Sequence, residues 1–220
     1  MENEKLYKYL EIKDTCRYGL IKYLADALEQ LPEINSPKIL DIGCGTGVTT
    51  LFMADIFNGI IHGIDTNAKS ISHLKNKIIK KKLSGKVFTE VISVLNLEFE
   101  SNLFDIILAE GLLNIIGFEK GLSIAKKYLK INGYFIIHDE LKNHNEKIKI
   151  FEKHYFKLID YFELGEDIWW NDYYSCLEIQ INSCKDEALR DLFKNDLGEI
   201  QMYKKDPSNF ISVYYILQNS

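Results

Sequence analysis

A glycine-rich loop directly follows an apolar run, and it constrains the fold of this chain more than any other feature. Residues 39–42 are apolar except for Asp41, and three glycines then stand at every second position, Gly43, Gly45 and Gly47. Glycine permits positive φ angles and lets a ligand approach the main chain closely. The helix expected over residues 48–57 would direct its free N–H groups at such a ligand. The pattern predicts a strand, a nucleotide-binding loop and a helix, in that order.

The spacing of the glycines disfavours two common nucleotide sites. A P-loop needs four residues between its glycines, followed by Gly-Lys-Ser or Gly-Lys-Thr, and the sequence contains no such run. A dinucleotide fingerprint has its third glycine three positions after the second, where this chain has Val48. Phosphoryl transfer from ATP is therefore disfavoured, and a nicotinamide-dependent oxidoreductase is kept only as a rival interpretation.

The string Asp-Ile-Gly-Cys-Gly-Thr-Gly at residues 41–47 resembles the first motif of the class I S-adenosylmethionine (SAM)-dependent methyltransferases. The resemblance covers about residues 36–140. It implies SAM as the cofactor, S-adenosylhomocysteine (SAH) as the product, and a cofactor site that includes the loop residues Asp41, Gly43, Cys44, Gly45 and Gly47.

Two further segments carry the resemblance. Residues 104–107, Phe-Asp-Ile-Ile, look like the family's fourth-strand motif, in which the residue corresponding to Asp105 steadies the first loop. Residues 129–135 look like the turn before the fifth strand, where Gly133 is expected to supply a positive φ.

Other cofactor contacts follow the next two predicted strands. Asp65 ends a second apolar run about twenty residues after the first glycine, where a carboxylate suits the two hydroxyls of a ribose. The alternative for Asp65 is a helix cap, a role that Thr66 or Asn67 fills better, and Thr66 is included among the cofactor residues. The family often has an acidic residue after strand three for adenine. This chain has Ser93 there, and the Val94 N–H is the second candidate.

Two residues are candidates for catalysis. Glu110 follows strand four, where the resemblance places the methionine part of the cofactor or the acceptor; the alternative is an exposed loop carboxylate. His138 ends strand five beside Asp139 and Glu140, and its alternative is a hydrogen-bonded structural residue. Methyl transfer is an in-line displacement, so alignment matters most, and a base is needed only when the nucleophile carries a proton.

An aromatic insertion and the N-terminal helix are the candidate walls of an acceptor site. Residues 165–209 are longer than a hairpin needs and hold both tryptophans of the chain. Aromatic faces there suit a lid over a flat or cationic molecule, and packing onto the body of the protein is the competing interpretation. The substrate-binding candidates are Tyr7, Arg17, Tyr18, Trp169, Trp170, Tyr173 and Tyr174. Together with Glu110-Gly111 and residues 116–121, the N-terminal helix and the Trp-Trp-x-x-Tyr-Tyr run look like a small-molecule branch of the family, loosely called ubiquinone- or menaquinone-type.

Helix-like and strand-like segments alternate along the chain, which is typical of a parallel sheet covered on both faces. We predict an α/β, Rossmann-like, seven-stranded and mostly parallel sheet with an N-terminal helix over residues 5–31. A helical and aromatic insertion is expected between the last two strands. The predicted organisation is one domain, 1–220, with a helical cap at 1–35, a cofactor-binding core at 36–164, a lid at 165–209 and a last strand at 210–220.

Composition and charge limit the classes of partner that we expect this protein to bind. The net charge of −5 and the pI near 5.6 disfavour a nucleic-acid surface. No apolar run reaches the roughly 20 residues that span a bilayer, and the first residues are polar, so we expect a cytoplasmic protein without membrane contact. The four cysteines, without a Cys-x-x-Cys pair, are expected to be reduced and to bind no metal. We expect a monomer or homodimer that methylates a small molecule, or else an inactive SAM- or SAH-binding sensor.

Overall fold

The computed structural model describes residues 2–220, which form two compact units. Among these residues, unit 1 consists of 2–23 and 164–211, and unit 2 of 24–163 and 212–220. Met1, at the start of the predicted cap, lies outside the described residues. The interpretation of the chain as one domain stays a prediction. None of the described helices is long and apolar enough to cross a membrane.

A seven-stranded sheet forms the centre of unit 2, as predicted. Its order is β3-β2-β1-β4-β5-β7-β6, and β7 runs antiparallel to β5 while the pairs from β3 to β5 are parallel. The strands are β1 (Lys38–Ile42), β2 (Ile60–Asp65), β3 (Val87–Val91), β4 (Phe104–Glu110), β5 (Leu129–Glu140), β6 (Phe156–Leu164) and β7 (Ser212–Asn219). The chain adds β2 and β3 on one side of β1 and β4 and β5 on the other, and such a change in strand order leaves a crevice at the carboxyl ends of β1 and β4.

Helices precede or connect the strands of unit 2. They are α2 (Ile21–Glu29, which begins in unit 1), α3 (Val48–Ile56), α4 (Ala68–Lys80), α5 (Leu113–Ile116), α6 (Phe118–Tyr128) and α7 (His144–Lys153). The middle of β4 is apolar because helices cover the sheet there: Ile106, Ile107 and Leu108 are fully buried. Asn67 caps α4 by accepting hydrogen bonds from the Lys69 and Ser70 N–H groups, as the sequence predicted for Thr66 or Asn67.

Two expectations drawn from the resemblance are wrong in detail. Gly133 does not supply the positive φ in the turn before the core of β5, because Asn132 does, at 62°. Glycine is needed at 133 for space: a Cβ there would lie 3.0 Å from the Asp105 carbonyl oxygen. Asp105 does not steady the glycine loop. It lies at the opposite end of β4, where its Oδ2 accepts a hydrogen bond from the Lys38 N–H at 2.8 Å.

Unit 1 is helical. Its elements are α1 (Glu2–Arg17), a 3₁₀ turn (Tyr18–Leu20), a π-helical turn (Trp170–Tyr174), α8 (Ser175–Ser183), α9 (Glu187–Asp191), α10 (Lys194–Lys205) and a second 3₁₀ turn (Pro207–Phe210). The predicted helix over residues 5–31 is therefore interrupted. The interruption brings Gly19 against the Asp172 carbonyl oxygen, which would lie 2.2 Å from a Cβ at that position.

Covalent and ionic links join α1 to the later helices of unit 1. Cys16 and Cys176 form a disulfide, so the expectation that all four cysteines are reduced is wrong for this pair. The Lys13 Nζ lies 2.7 Å from Asp196 Oδ1, and Asp196 Oδ2 accepts a hydrogen bond from the Tyr9 hydroxyl. Asp196 is 3% exposed, so its charge is compensated inside the unit.

Candidate functional site

A cavity of about 340 Å³ lies at the carboxyl ends of β1, β2, β3 and β4 in unit 2. This is the place where open α/β sheets bind their ligands. Its lining includes six of the predicted cofactor residues, Gly43, Asp65, Thr66, Ser93, Val94 and Glu110. Apolar side chains complete the walls, namely Ile42, Ile64, Ile92, Leu112, Ile115 and Ile116. The sequence-predicted residues from four separate strand ends therefore meet around one cavity.

The glycine loop has the positive φ angles that its sequence predicts. The φ angles of Gly43, Gly45 and Gly47 are 77°, 53° and 81°. A Cβ at Gly47 would also lie 2.3 Å from a Leu74 methyl group, whereas one at Gly45 would have no atom of the described residues within 4 Å. Gly47 is thus required by packing as well as by backbone geometry, and Gly45 leaves open space beside the loop.

The Asp65 carboxylate ties the end of β2 to the glycine loop. Its Oδ2 accepts a hydrogen bond from the Gly45 N–H at 2.8 Å, and its Oδ1 accepts one from the Asn67 N–H at 2.7 Å. Asp65 also lines the cavity. The side chain is thus fixed by two backbone donors at the place where a ribose hydroxyl is expected. The ribose contact itself stays a prediction.

Asp41 is a buried residue near the end of β1, just before the glycine loop. It is 2% exposed, does not line the cavity, and its Oδ2 accepts hydrogen bonds from the Thr49 and Thr50 hydroxyls at 3.1 and 2.6 Å. These bonds connect β1 to the first turn of α3. Its geometry therefore favours a structural role in shaping the loop, and a direct cofactor contact stays a prediction.

Cys44 is a buried loop residue whose thiol is unsuited to chemistry. Burial raises the pKa of the Cys44 thiol, and the nearby Asp41 and Asp65 carboxylates raise it further. We expect Cys44 in the native protein to resist iodoacetamide at neutral pH, while the partly exposed Cys184 reacts. Mass spectrometry of the alkylated peptides measures both sites in one sample. Modification of Cys44 as fast as Cys184 would contradict the burial argument.

Ser93 and Val94 stand where the adenine is expected. Ser93 caps a 3₁₀ turn (Val94–Asn96), and its Oγ accepts a hydrogen bond from the Leu95 N–H at 3.3 Å. Both residues line the cavity next to Ile92. Ser93 stands where the family often has an acidic residue. Recognition of adenine by Ser93 and Val94 stays a prediction.

Glu110 belongs to a row of polar and aromatic side chains across three strands. Glu110 on β4 is in register with His138 on β5, and His138 with Tyr214 on β7. The Tyr214 hydroxyl donates a hydrogen bond to Glu110 Oε1 at 2.5 Å, and the Tyr214 ring stacks on the His138 ring with 4.3 Å between centroids. His138 Nε2 lies 2.9 Å from Ser212 Oγ. Catalysis by Glu110 or His138 stays a prediction.

Sequence reasoning missed Tyr214 and Ser212. Both are buried, at 2% and 4% exposure, and they lie more than seventy residues from His138 in the sequence. Tyr214 is one of 13 tyrosines, and only the register between β5 and β7 reveals its position beside Glu110. No motif in the sequence could have found it.

The substrate-binding candidates all lie in unit 1. Tyr173 and Tyr174 are 5% and 1% exposed within its core, and burial raises the pKa of Tyr173 to about 12. The Trp170 ring stacks on Tyr203 at 6.0 Å, and Trp169 packs on Tyr174 at 5.9 Å. Tyr18 is exposed, and Tyr7 and Arg17 lie on α1. The aromatic side chains of residues 169–174 therefore pack within unit 1. Acceptor binding by any of the seven candidates stays a prediction.

Comparison with known proteins identifies the family. The profile of a family described as "Methyltransferase domain" matches residues 35–181, which include the glycine loop, every strand end that lines the cavity and the aromatic run. The chain belongs to this family of methyltransferase domains. The resemblance to class I SAM-dependent methyltransferases is therefore confirmed, while the quinone-type branch is not singled out.

Individual relatives are distant. Phosphoethanolamine N-methyltransferase of Plasmodium falciparum is 24% identical over 159 residues, which cover 69% of this chain and 59% of the relative. The chain spans about half the length of the first curated relatives that it matches.

Solved structures share the fold at low sequence identity. The cyclase SpnF superposes with a TM-score of 0.75 at 15% identity, covering 90% of this chain and 80% of SpnF. Phosphoethanolamine N-methyltransferase 2 of Haemonchus contortus in complex with SAM gives a TM-score of 0.71 at 19% identity, covering 90% and 52% of the two chains. These similarities support the Rossmann-like methyltransferase fold.

Proposed function

We propose that this protein transfers the methyl group of SAM to a small-molecule acceptor and releases SAH. The observation that carries the proposal is the cavity, in which the glycine loop, Asp65 and the turn at Ser93 converge within family-matched sequence. Its volume falls in the range of roughly 300–1,000 Å³ found for small-molecule sites. The relatives named for phosphoethanolamine support a small acceptor.

The residues of the cavity fit SAM chemically. Gly43 lets the ligand approach the main chain, Asp65 accepts hydrogen bonds from the ribose hydroxyls, and Ser93 and Val94 contact the adenine base. When bound, SAM supplies an electrophilic methyl group on a sulfonium. The chain itself aligns the acceptor with that methyl group and excludes water, and Glu110 is the side chain placed to take a proton from the acceptor.

Calorimetric titration with SAM and SAH tests the proposal, with NADH and ATP as controls. We expect saturable binding of SAM and SAH alone, because the loop lacks the features of a P-loop and of a dinucleotide site. Binding of NADH in preference to SAM would favour the oxidoreductase. Absence of binding by both SAM and SAH would overturn the cofactor assignment.

A SAM-binding protein that does not transfer methyl groups is the second candidate. The observation that favours it is the similarity to SpnF, which is named a cyclase although it shares this fold. Measuring SAH formation with amine, phenol, thiol and carbon acceptors separates the two functions. Saturable SAM binding without SAH formation across that panel would favour a sensor or a non-methylating enzyme.

A further inference from the structure

We propose that Glu110 and Tyr214 form an amine-recognition pair, in which Glu110 binds the acceptor nitrogen at the methyl-transfer point and Tyr214 holds the carboxylate there. The inference deepens the proposed function and rests on it. It names the class of acceptor, an amine that is protonated in solution, and it assigns Tyr214 as a positioning residue for Glu110.

Along the edge of the sheet, Glu110 lies two strands away from Asp65, where the ribose is expected. Asp65 ends β2 and Glu110 ends β4, with β1 and its glycine loop between them. Two strand spacings correspond to about 10 Å. The sulfur of SAM is attached to C5′ of the ribose, so a ribose held at Asp65 directs the sulfur and its methyl group along the loop towards β4. Glu110 is therefore the carboxylate nearest the expected transfer point.

The charge of the cavity favours a cationic acceptor. Within the described part of the chain, the lining contains two carboxylates, Asp65 and Glu110, and no Lys, Arg or His. Leu112, Ile115 and Ile116, which follow Glu110 in the sequence, add apolar side chains to the same lining. A carboxylate in such surroundings attracts a cation and repels acceptors that are themselves carboxylates or phenolates.

Tyr214 fixes the Glu110 side chain from the far side of β5. Its hydroxyl donates to Glu110 Oε1, and an ionised carboxylate can only accept, so the two groups match in the charged form of Glu110. The Tyr214 ring is itself held between His138 and Phe162, whose centroids lie 4.3 and 5.3 Å away. With its Nε2 at Ser212 and its face on Tyr214, His138 supports this arrangement.

The chemistry balances without a further reactant. The ammonium group of the acceptor gives one proton to the Glu110 carboxylate and becomes a neutral amine. The nitrogen lone pair then forms a bond to the methyl carbon, the carbon–sulfur bond breaks, and its electron pair stays on sulfur, which loses its positive charge. The product is a methylated ammonium, and Glu110 returns its proton to water once the product has left.

Three nucleosides locate Glu110 without a known acceptor. Sinefungin carries an amine in place of the transferable methyl group, SAH carries nothing there, and 5′-methylthioadenosine lacks the amino-acid part. We expect Glu110→Gln to reduce the preference for sinefungin over SAH about tenfold or more, the factor for losing one charge-assisted hydrogen bond. Tyr214→Phe keeps the ring stack and should reduce the same preference by a smaller factor, because only the hydroxyl that holds Glu110 is lost.

Matched variants control for general damage. Tyr215→Phe removes the hydroxyl that bonds to His144 on the opposite face of β7, and Glu119→Gln removes a surface carboxylate paired with Lys153. Both should leave the ratio of sinefungin to SAH affinity unchanged, even if thermal stability falls.

The other outcomes reject the pair. A lost preference for SAH over 5′-methylthioadenosine in Glu110→Gln, with the sinefungin ratio unchanged, would mean that Glu110 binds the amino-acid part of the cofactor. Equal weakening of all three nucleosides would reduce Glu110 and Tyr214 to structural residues. Failure of the unmodified protein to bind any of the nucleosides would instead overturn the proposed function.

Discussion

Replacing Asp65 with alanine is expected to weaken SAH binding by roughly 1.5–3 kcal/mol, or about 10- to 150-fold. The ribose loses a charged acceptor, and the Gly45 N–H in the loop loses its partner at 2.8 Å. Calorimetric titration measures the affinity. Because only two backbone donors are affected, circular dichroism should show that the fold is retained.

The variant Asp65→Asn tests whether both carboxylate oxygens of Asp65 are needed. Each carboxylate oxygen of Asp65 accepts from a different backbone N–H, that of Gly45 or that of Asn67. An amide offers one acceptor and one donor, so one of these N–H groups would face another donor. We expect Asp65→Asn to lose nearly as much affinity as Asp65→Ala. Asp55→Asn, which changes a surface pair with Lys81, is the matched control and should bind SAH normally. Full affinity in Asp65→Asn would remove Asp65 from the ribose site.

The parts of the fold that the sequence predicted are those with strong local signals. The glycine loop, the helix after it and the apolar strands β1, β2 and β4 lie within a residue or two of their predicted positions. Each combines a buried apolar run with a turn or a cap, so local propensity and tertiary burial agree. The strand order is known only from the structure, since periodicity does not encode which strands are neighbours.

The parts that the sequence did not predict depend on contacts between distant segments. The sequence predicted one helix over residues 5–31, but the helix is interrupted at the 3₁₀ turn that brings Gly19 against Asp172. Tyr214 reaches Glu110 only because β7 lies between β5 and β6. The candidate site was therefore predictable where it follows motifs, at Gly43 and Asp65, and unpredictable where it depends on strand register.

The disulfide is the clearest case of a contact that spacing conceals. Cys16 and Cys176 are separated by 160 positions, and neither belongs to a recognisable pair motif. The expectation of reduced cysteines followed from that lack and from an assumed cytoplasmic location, where disulfides are uncommon. The cytoplasmic location stays a prediction, and a disulfide is uncommon in a protein of that compartment.

Loss of the disulfide is expected to have the largest effect on stability. Closing a loop of this length corresponds to about 4–5 kcal/mol in the chain-entropy description, and measured losses range over about 2–5 kcal/mol. Denaturant unfolding of the unmodified protein should therefore shift to a lower midpoint when a reductant is added.

Variants at each cysteine isolate the effect. Cys16→Ser and Cys176→Ser should unfold at that lower midpoint with or without reductant, because either change removes the same cross-link. Cys184→Ser, at a free cysteine, should behave like the unmodified protein. Alkylation under denaturing conditions without reductant should label two of the four cysteines. Labelling of all four cysteines, together with an unfolding midpoint that does not change when reductant is added, would contradict the disulfide. The expectation of a fully reduced protein would then hold.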